Sequence, residues 1–441
     1  MKSNMKIIRY PEKAERQEIL ARPVFEWKSL ERHVRNILEF VKKDGDEAVR
    51  HFTKTLDQVE IEDFLVTKSE FAEAEKNVSV ELKDAIKIAQ ANIEKFHAAQ
   101  AEGSEVIETM TGVFCWRKSV PIEKVGLYIP AGSAPLFSTV LMLGIPAKLA
   151  GCREIVLCSP PDANGKINDA ILYAANVCGI SKIYKIGGAQ AVGAMAFGTE
   201  TVPQVYKIFG PGNQFVTAAK QIVSQTGTAI DMPAGPSEVA ILADETCVPA
   251  FVAADLLSQA EHGADSQVLL VTTSEKVVAE TNLELEKQLA NLSRRAIAAK
   301  ALENSKAILV KDFDEAIEII NEYAAEHLIV AAENADQIAE KITNAGSVFI
   351  GNYSCESAGD YASGTNHTLP TGGFAKAFSG VSLDSFVKKI TFQKLSEDGI
   401  RNLGRTVELM AEAEGLDAHK NAISIRLERL ATENTEFTEK S

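Results

Sequence analysis

A glutamine and a histidine three positions apart are the first pair of side chains that could bind a metal ion. Gln259 and His262 lie in a stretch that is predicted to be helical from about residue 248. Positions i and i+3 share one face of a helix, so both side chains can reach the same site. An imidazole nitrogen and an amide oxygen can both bind Zn²⁺. Two-residue patterns are common by chance, and spacing alone favours a solvated glutamine and a surface histidine.

Glu326 and His327 form a second pair, between a predicted helix and an apolar run at 328–330. A neighbouring carboxylate and imidazole are suited to proton transfer near neutral pH. Adjacent side chains on a helix diverge by about 100°, but at a junction of helix and strand both can reach the rim of a sheet. Taken alone, a histidine that interacts with the helix dipole is the simpler interpretation.

Two acids and a histidine follow the predicted strand 347–350. Glu356, Asp360 and His367 stand among small residues in the segment 356–367. In open α/β sheets, loops at the carboxyl ends of strands are where ligands bind. The density of small and functional residues favours a binding loop over an ordinary polar surface loop.

Three glycine-rich turns could accommodate a nucleotide. They occupy 130–133, 187–190 and 210–213, and each follows a predicted strand and opens onto a helix. Glycine lets the backbone approach a ligand closely, and a helix N-terminus suits a pyrophosphate. None of the turns reads G-x-G-x-x-G, so the ordinary dinucleotide fingerprint is missing.

The elements that must position these residues fall into three blocks. The first hundred residues are predicted to be mainly helical, because Leu30, Val34, Ile37, Leu38 and Val41, and later Leu82, Ile86, Ile93 and Phe96, recur at helical spacing. Short apolar runs that alternate with helical stretches predict buried strands at 125–129, 154–158, 182–186, 205–209, 238–243, 267–272, 306–310 and 347–350. Two such series indicate βαβ units and an α/β fold with two doubly wound globules. The block from about 382 is predicted to be helical and without strands.

That last block carries one further pair of candidates. Glu414 and His419 stand five positions apart, where a solvated helix face is the default interpretation. The final residues, 432–441, are polar and predicted to be disordered.

The composition excludes some classes of protein and favours others. The 441 residues suggest two or three domains, and 46% hydrophobic with 24% charged residues is typical of a globular protein. A formal charge of −15 argues against a nucleic-acid partner, because no basic surplus can displace phosphate counterions. We expect neither a signal peptide nor a membrane span, since no long apolar run is present. Six cysteines without a C-x-x-C pair indicate reduced thiols and a cytoplasmic protein.

Taken in order, these segments resemble the histidinol dehydrogenase family. The likeness runs from roughly residue 25 to residue 430, and eight ordered motifs make coincidence negligible. The matching runs are 126–130 (GLYIP), 187–191 (GGAQA), 209–213 (FGPGN), 232–238 (MPAGPSE), 255–263 (DLLSQAEHG), 326–328 (EHL), 357–361 (SAGDY) and 419–421 (HKN). The resemblance overrides the simpler interpretation that each motif has in isolation.

The resemblance assigns a role to each candidate. It implies one Zn²⁺ per subunit, held by Gln259, His262, Asp360 and His419. It makes Glu326 and His327 the acid–base pair. It assigns NAD to Tyr128, Gln190 and Asn213. It implies that the substrate contacts Ser237, Glu414, His327 and the four metal ligands, with Glu356 and His367 lining the same pocket.

The family's fold implies two incomplete Rossmann-like globules with small helical pieces at each end. On this basis we expect an N-terminal segment (1–25), a first globule (26–129 with 238–381), a second, nucleotide-binding globule (130–237), a C-terminal helical segment (382–431) and a disordered tail (432–441). The resemblance also implies an intertwined homodimer in which the C-terminal segment of one chain completes the partner's site.

The implied reaction is oxidation of L-histidinol to L-histidine through an enzyme-held aldehyde, with two NAD⁺. A relative on the same scaffold could instead oxidise another small polar alcohol, since fold and metal site do not fix the substrate. A cysteine nucleophile is a rival for the aldehyde step, but Cys152 and Cys158 flank a buried strand without an activating partner. A non-catalytic metal- or nucleotide-binding protein is the third possibility, and the intact Glu326–His327 pair argues against it.

Overall fold

The computed structural model describes residues 5–23, 27–131 and 134–438. It divides into two compact units, one of residues 1–100 and 122–386 and the other of residues 101–121 and 387–441. No helix within the described ranges is long and apolar enough to cross a membrane.

The secondary structure alternates strands and helices through most of the chain. The strands are β1 (Lys6–Arg9), β2 (Val106–Met110), β3 (Val113–Pro121), β4 (Lys124–Tyr128), β5 (Glu154–Ser159), β6 (Lys182–Lys185), β7 (Lys207–Phe209), β8 (Ala229–Ile230), β9 (Glu238–Ala243), β10 (Gln267–Thr272), β11 (Lys306–Leu309), β12 (His327–Ala331), β13 (Ser347–Ile350) and β14 (Val387–Leu395). The helices are α1 (Arg16–Ile19), α2 (Trp27–Leu56), α3 (Lys68–Asn77), α4 (Val80–Ala98), α5 (Phe137–Ala150), α6 (Asp169–Cys178), α7 (Gly188–Phe197), α8 (Gln214–Ser224), α9 (Pro249–Ala260), α10 (Glu275–Leu289), α11 (Arg295–Glu303), α12 (Phe313–Tyr323), α13 (Ala335–Ala339), α14 (Glu356–Tyr361), α15 (Glu397–Ala413) and α16 (Asp417–Thr438).

The first unit contains a six-stranded parallel sheet in the order β1-β11-β10-β9-β12-β13. Helices α9, α10 and α11 cover one face of this sheet, and α12 and α13 cover the other. A parallel sheet that is covered on both faces needs strands that are apolar throughout. This requirement explains why β9 and β10 are buried along their whole length.

The same unit contains a five-stranded parallel sheet in the order β6-β5-β4-β7-β8. Helices α3 to α6 lie over one face, and α2, α7 and α8 lie over the other. Two parallel sheets with helices on both faces confirm the predicted fold class of two doubly wound α/β globules.

The predicted division of the chain between the two globules is wrong in two places. Residues 26–129 were assigned to the globule of 238–381, but α2, α3, α4 and β4 all belong to the five-stranded sheet. The N-terminal segment is not separate either, because β1 pairs with β11 at the edge of the six-stranded sheet. The apolar spacing in α2 and α4 predicts a buried face, and it carries no information on which sheet covers that face.

The second unit contains a three-stranded antiparallel sheet, in the order β14-β3-β2, together with α15 and α16. The prediction that the chain beyond 382 has no strand is therefore wrong. Strand β14 pairs with β3 along its full length, from Val387 opposite Pro121 to Leu395 opposite Val113. The tail prediction also needs correction, because α16 continues to Thr438 without a glycine or proline to end it. Residues 439–441 lie outside the described ranges.

Candidate functional site

The predicted proton-transfer pair lies at the amino end of the six-stranded sheet. His327 is the first residue of β12, Glu326 precedes it, and Glu238 begins the neighbouring strand β9. The junction of helix and strand predicted for this pair is therefore present, whereas the segment 356–367, expected to form a binding loop at the carboxyl end of its strand, places Asp360 against His327 at the amino end of β12. Helix α9 runs antiparallel to the strands and brings Gln259 to this edge, while α14 returns Asp360 to it.

The backbone of Glu238 and three side chains surround the His327 ring. Nε2 of His327 lies 3.1 Å from Oδ1 of Asp360. Nδ1 lies 3.3 Å from the carbonyl oxygen of Glu238 and 3.3 Å from Nε2 of Gln259. Oε2 of Glu326 lies 3.7 Å from the same Nδ1 and accepts a 2.9 Å hydrogen bond from the backbone N–H of Glu238. The ring is therefore fixed on both nitrogens.

Burial and neighbouring charges shift the pKa values of these groups strongly. Burial raises the pKa of Glu326 to about 8. Burial alone would lower the pKa of His327, but the carboxylates of Glu326 and Asp360 raise it to about 10. Burial opposes ionisation of Asp360, yet the hydrogen bond from His327 lowers its pKa below the usual value. The carboxylate of Asp360 thus stabilises the protonated form of His327, while burial favours the protonated form of Glu326, so both pKa values lie well above their ordinary values.

Gln259, His262 and Asp360 converge beside this pair. Gln259 is 1% exposed, and within the described residues its Oε1 atom has no hydrogen-bond partner. Desolvation lowers the pKa of His262, and the nearby carboxylate of Asp360 partly opposes that shift. A buried, unpartnered amide oxygen costs stability unless it has a ligand, so the donor set fits a metal ion. The described chain by itself holds no group of three or more His, Cys, Asp or Glu side chains arranged around one metal position.

Glu356 and His367 lie next to the same residues. Ser258 donates a hydrogen bond to Oε1 of Glu356, while Oε2 of Glu356 is buried and has no partner among the described residues. Nδ1 of His367 lies 2.8 Å from the carbonyl oxygen of Asp360, and Nε2 lies 3.0 Å from Oγ1 of Thr139. Because a carbonyl can only accept, Nδ1 carries the proton of a neutral His367, and Thr139 donates to Nε2. Glu356 therefore holds Ser258, and His367 holds the backbone of Asp360, next to the predicted site.

The remaining predicted ligands are placed as follows. Ser237 directly precedes β9, and its carbonyl oxygen accepts a hydrogen bond from the N–H of Gln267. Glu414 ends α15 and His419 lies in the first turn of α16. Both are exposed members of the second unit.

The three predicted NAD positions lie at the carboxyl edge of the five-stranded sheet, as expected. The hydroxyl of Tyr128 accepts a 3.1 Å hydrogen bond from the N–H of Gly188, where α7 begins. Gln190 is fully buried, and its Oε1 atom has no partner within the described ranges. Asn213 caps α8 by accepting hydrogen bonds from the next turn. Of the turn at 130–133, residues 132 and 133 lie outside the described ranges.

The backbone of these turns requires glycine at one position. Gly210 has a φ of +123°, and a Cβ atom there would lie 2.1 Å from the carbonyl oxygen of Tyr128. Gln190 also donates a 2.9 Å hydrogen bond to Oδ2 of Asp57, whose pKa burial raises to about 6. Sequence reasoning missed Asp57, because it comes from the loop after α2 and belongs to no local motif.

Comparisons with known proteins give a consistent result. A family model described as histidinol dehydrogenase matches residues 20–427. A histidinol dehydrogenase from Bacteroides fragilis is 60% identical over 426 residues, which cover 97% of this chain and 100% of the relative. One from Mannheimia succiniciproducens is 54% identical and covers 94% of this chain and 97% of the relative.

A solved structure agrees with the fold. The crystal structure of histidinol dehydrogenase from Elizabethkingia anophelis superposes with a TM-score of 0.95 at 57% sequence identity, and the match covers 97% of this chain and 99% of that one. These findings confirm the resemblance drawn from the motifs. The chain belongs to the histidinol dehydrogenase family.

Proposed function

We propose that this chain oxidises L-histidinol to L-histidine in the cytoplasm, through an aldehyde held on the enzyme and with two NAD⁺ as hydride acceptors. The observation that carries the proposal is the buried Glu326–His327 pair, tied to Asp360 and placed beside the unpartnered Oε1 atom of Gln259. A dehydrogenase needs a base for the alcohol proton and a rigid site for the carbinol carbon. This cluster supplies both.

We propose one Zn²⁺ per subunit, held by Gln259, His262, Asp360 and His419 of the partner subunit. Zinc would supply a fixed point for the substrate and polarise its oxygen, and NAD⁺, at Tyr128, Gln190 and Asn213, would accept hydride. Ser237 and Glu414 of the partner subunit would complete the substrate contacts. Of the four proposed ligands, Gln259, His262 and Asp360 belong to the first unit and His419 belongs to the second.

The protein's own groups divide the proton transfers. His327 takes the hydroxyl proton in the first oxidation, releases it to solvent, and then takes a proton from the hydrated aldehyde in the second. Its pKa is high only while Asp360 and Glu326 face it as carboxylates. A ligand role for Asp360 would weaken that attraction and would favour the neutral imidazole, which is the form that can accept a proton. Glu326, whose Oε2 atom accepts a hydrogen bond from the backbone N–H of Glu238, orients the water that attacks the aldehyde and, as a carboxylate, takes a proton from it.

Water, rather than a cysteine, is the nucleophile in this scheme. Burial raises the pKa of Cys152 to about 11 and that of Cys158 further still. A thiol with such a pKa is almost entirely protonated near neutral pH and is a poor nucleophile. Neither cysteine has a hydrogen bond to Glu326 or His327 among the described contacts.

Exposed apolar side chains of the second unit support the proposal of a dimer in which each active site contains residues of both chains. Its antiparallel sheet and helical hairpin leave large apolar side chains uncovered within one chain, namely Val106, Ile107, Met110, Ile390, Phe392, Leu409, Met410, Leu416 and Ile425. An apolar surface of this extent is typical of an interface. Exchange of such an element between two copies would bring Glu414 and His419 to the partner's Asp360.

Steady-state assays with NAD⁺ test the proposal. L-histidinol should yield two NADH per molecule and end at L-histidine, whereas a panel of other small polar alcohols should give little. Removal of metal with a chelator should abolish turnover, Zn²⁺ should restore it, and the Cys152→Ala variant should remain active. Turnover of a different alcohol would indicate another substrate on this scaffold. Full activity of the metal-free protein would contradict the proposed metal ligands.

A further inference from the structure

The N-terminal arm, residues 5–23, places a partly buried arginine, Arg22, at the base of the proposed active site. After β1 the arm crosses α12, where Arg16 forms ion pairs with Glu315 and Glu318. It then places Arg22 against Glu238, with Nε 2.5 Å from Oε1 and Nη2 3.0 Å from Oε2. This is a two-pronged guanidinium–carboxylate contact, the geometry that fixes both partners most firmly.

The Glu238 side chain cannot take part in the proposed reaction itself, because other groups already bind its oxygens. It is 2% exposed, and Arg22, together with the N–H of Gly372 at 2.9 Å, occupies its oxygens. Arg22 also donates a 2.7 Å hydrogen bond to the carbonyl oxygen of Tyr323 and lies 4.1 Å above the centre of that ring. A buried charge with this many contacts cannot move without breaking several of them.

The backbone of Glu238, in contrast, touches both members of the proton-transfer pair. Its N–H donates to Oε2 of Glu326 at 2.9 Å, and its carbonyl oxygen lies 3.3 Å from Nδ1 of His327. One peptide segment thus orients two side chains that must be correctly placed relative to each other. Glu238 begins β9, where the N–H of Gln267 binds the preceding carbonyl oxygen of Ser237, and the Arg22–Glu238 contact is the side-chain anchor at this end of the strand.

We propose that Arg22 is a positioning residue for the reaction: by clamping the Glu238 side chain, it fixes the backbone groups that orient Glu326 and His327. The proposal rests on the proposed function for its kinetic effect. It predicts that the loss is one of turnover and not of substrate binding, because Arg22 touches neither the predicted substrate contacts nor the predicted NAD positions. Misplacement of catalytic groups by a distance on the order of 1 Å costs about a hundredfold in rate.

The chain offers a matched control in Arg16. Its side chain is 7% exposed, it belongs to the same arm, and it is held by carboxylates of α12, but it has no contact with Glu238. Arg22→Met and Arg16→Met each remove an arginine that anchors the arm through carboxylates. Only the first should alter the site.

The experiment compares the two variants as full-length protein. For Arg22→Met we expect kcat for histidinol to fall by about a hundredfold with KM nearly unchanged, whereas Arg16→Met should keep the wild-type kcat. Guanidinium chloride at a non-denaturing concentration should restore part of the turnover of Arg22→Ala. The same addition should not raise the turnover of Arg16→Ala.

Hydrogen exchange of the Glu238 amide provides a readout that does not depend on turnover. This N–H should exchange faster in Arg22→Met than in wild type, and at the wild-type rate in Arg16→Met. Equal kcat in the two variants, or an unchanged exchange rate in Arg22→Met, would overturn the positioning role. If the wild-type protein itself failed to oxidise histidinol, the proposed function would fall, while the exchange measurement would still decide whether Arg22 holds Glu238.

Discussion

Lys220 and Asp231 form a buried ion pair under the turn at 210–213, and its two halves should differ in their contribution to stability. Nζ of Lys220 lies 2.5 Å from Oδ1 of Asp231, and the side chains are 5% and 1% exposed. Lys220 also donates to the carbonyl oxygen of Gly210 at 2.8 Å. Asp231 accepts hydrogen bonds of 2.8 Å from the N–H groups of Gly210 and Met232.

The contacts that survive each substitution determine the order of the effects. Removal of one partner of a buried ion pair costs about 3–5 kcal/mol, because the other charge stays buried. After Lys220→Met, Asp231 keeps two N–H donors, each worth about 1.5–3 kcal/mol to a charged acceptor, so the cost should lie near the lower end of that range. After Asp231→Asn, the Lys220 ammonium faces one carbonyl and a neutral amide, so the cost should lie near the upper end.

Urea unfolding at a fixed protein concentration measures this difference, with the concentration held constant because the stability of a dimer depends on it. We expect Asp231→Asn to lose more free energy of unfolding than Lys220→Met. The double variant should lose less than Asp231→Asn alone, since it leaves no unpaired charge. A larger loss for Lys220→Met, or additive losses in the double variant, would refute the reasoning.

Two further predictions concern the proposed reaction. Glu326→Gln should spare oxidation of the alcohol more than oxidation of supplied aldehyde, while His327→Asn should slow both; half-reactions followed through NADH measure this, and equal losses in both halves for Glu326→Gln would contradict the division of roles. Mixing inactive His262→Asn chains with inactive His419→Asn chains should regenerate activity, because one site of each mixed dimer carries neither substitution; no recovery after verified subunit exchange would mean that each chain supplies its own His419.

The buried parallel strands were predictable from the sequence. The bounds of β9 and β10 are those predicted from their apolar runs. Such strands are apolar throughout because helices cover both faces of their sheet, so composition alone reveals them. Strand β14 was missed for the opposite reason: Lys388, Lys389 and Lys394 interrupt its apolar residues, and most of the strand is exposed.

Those residues of the candidate site that lie in local sequence motifs were predictable. The structure brings Gln259, Glu326, His327 and Asp360 together as the motifs suggested, and their roles stay predictions. The contacts that hold them were not predictable. Arg22 and Glu238 are more than two hundred residues apart in the chain, and no local pattern in either segment predicts their contact.

Strand β1 has a consequence for how the chain is made. It lies at the start of the chain, but its partner in the sheet is β11, with Lys6 opposite Lys306. At synthesis rates of about 5–20 residues per second, β11 leaves the ribosome about 15–60 s after β1. During that interval the five-stranded sheet and its helices, all between residues 27 and 230, can already fold.

Strand β1 of the nascent chain therefore stays unpaired while the half of the molecule that follows it in the sequence folds. An unpaired strand edge can pair with a non-native strand. A bulky or apolar N-terminal extension would prolong the time for which β1 stays unpaired. The arm that carries Arg22 docks only after the sheet that receives it exists. Arg22 can therefore contact Glu238 only at a late stage, when the five-stranded sheet can already be folded.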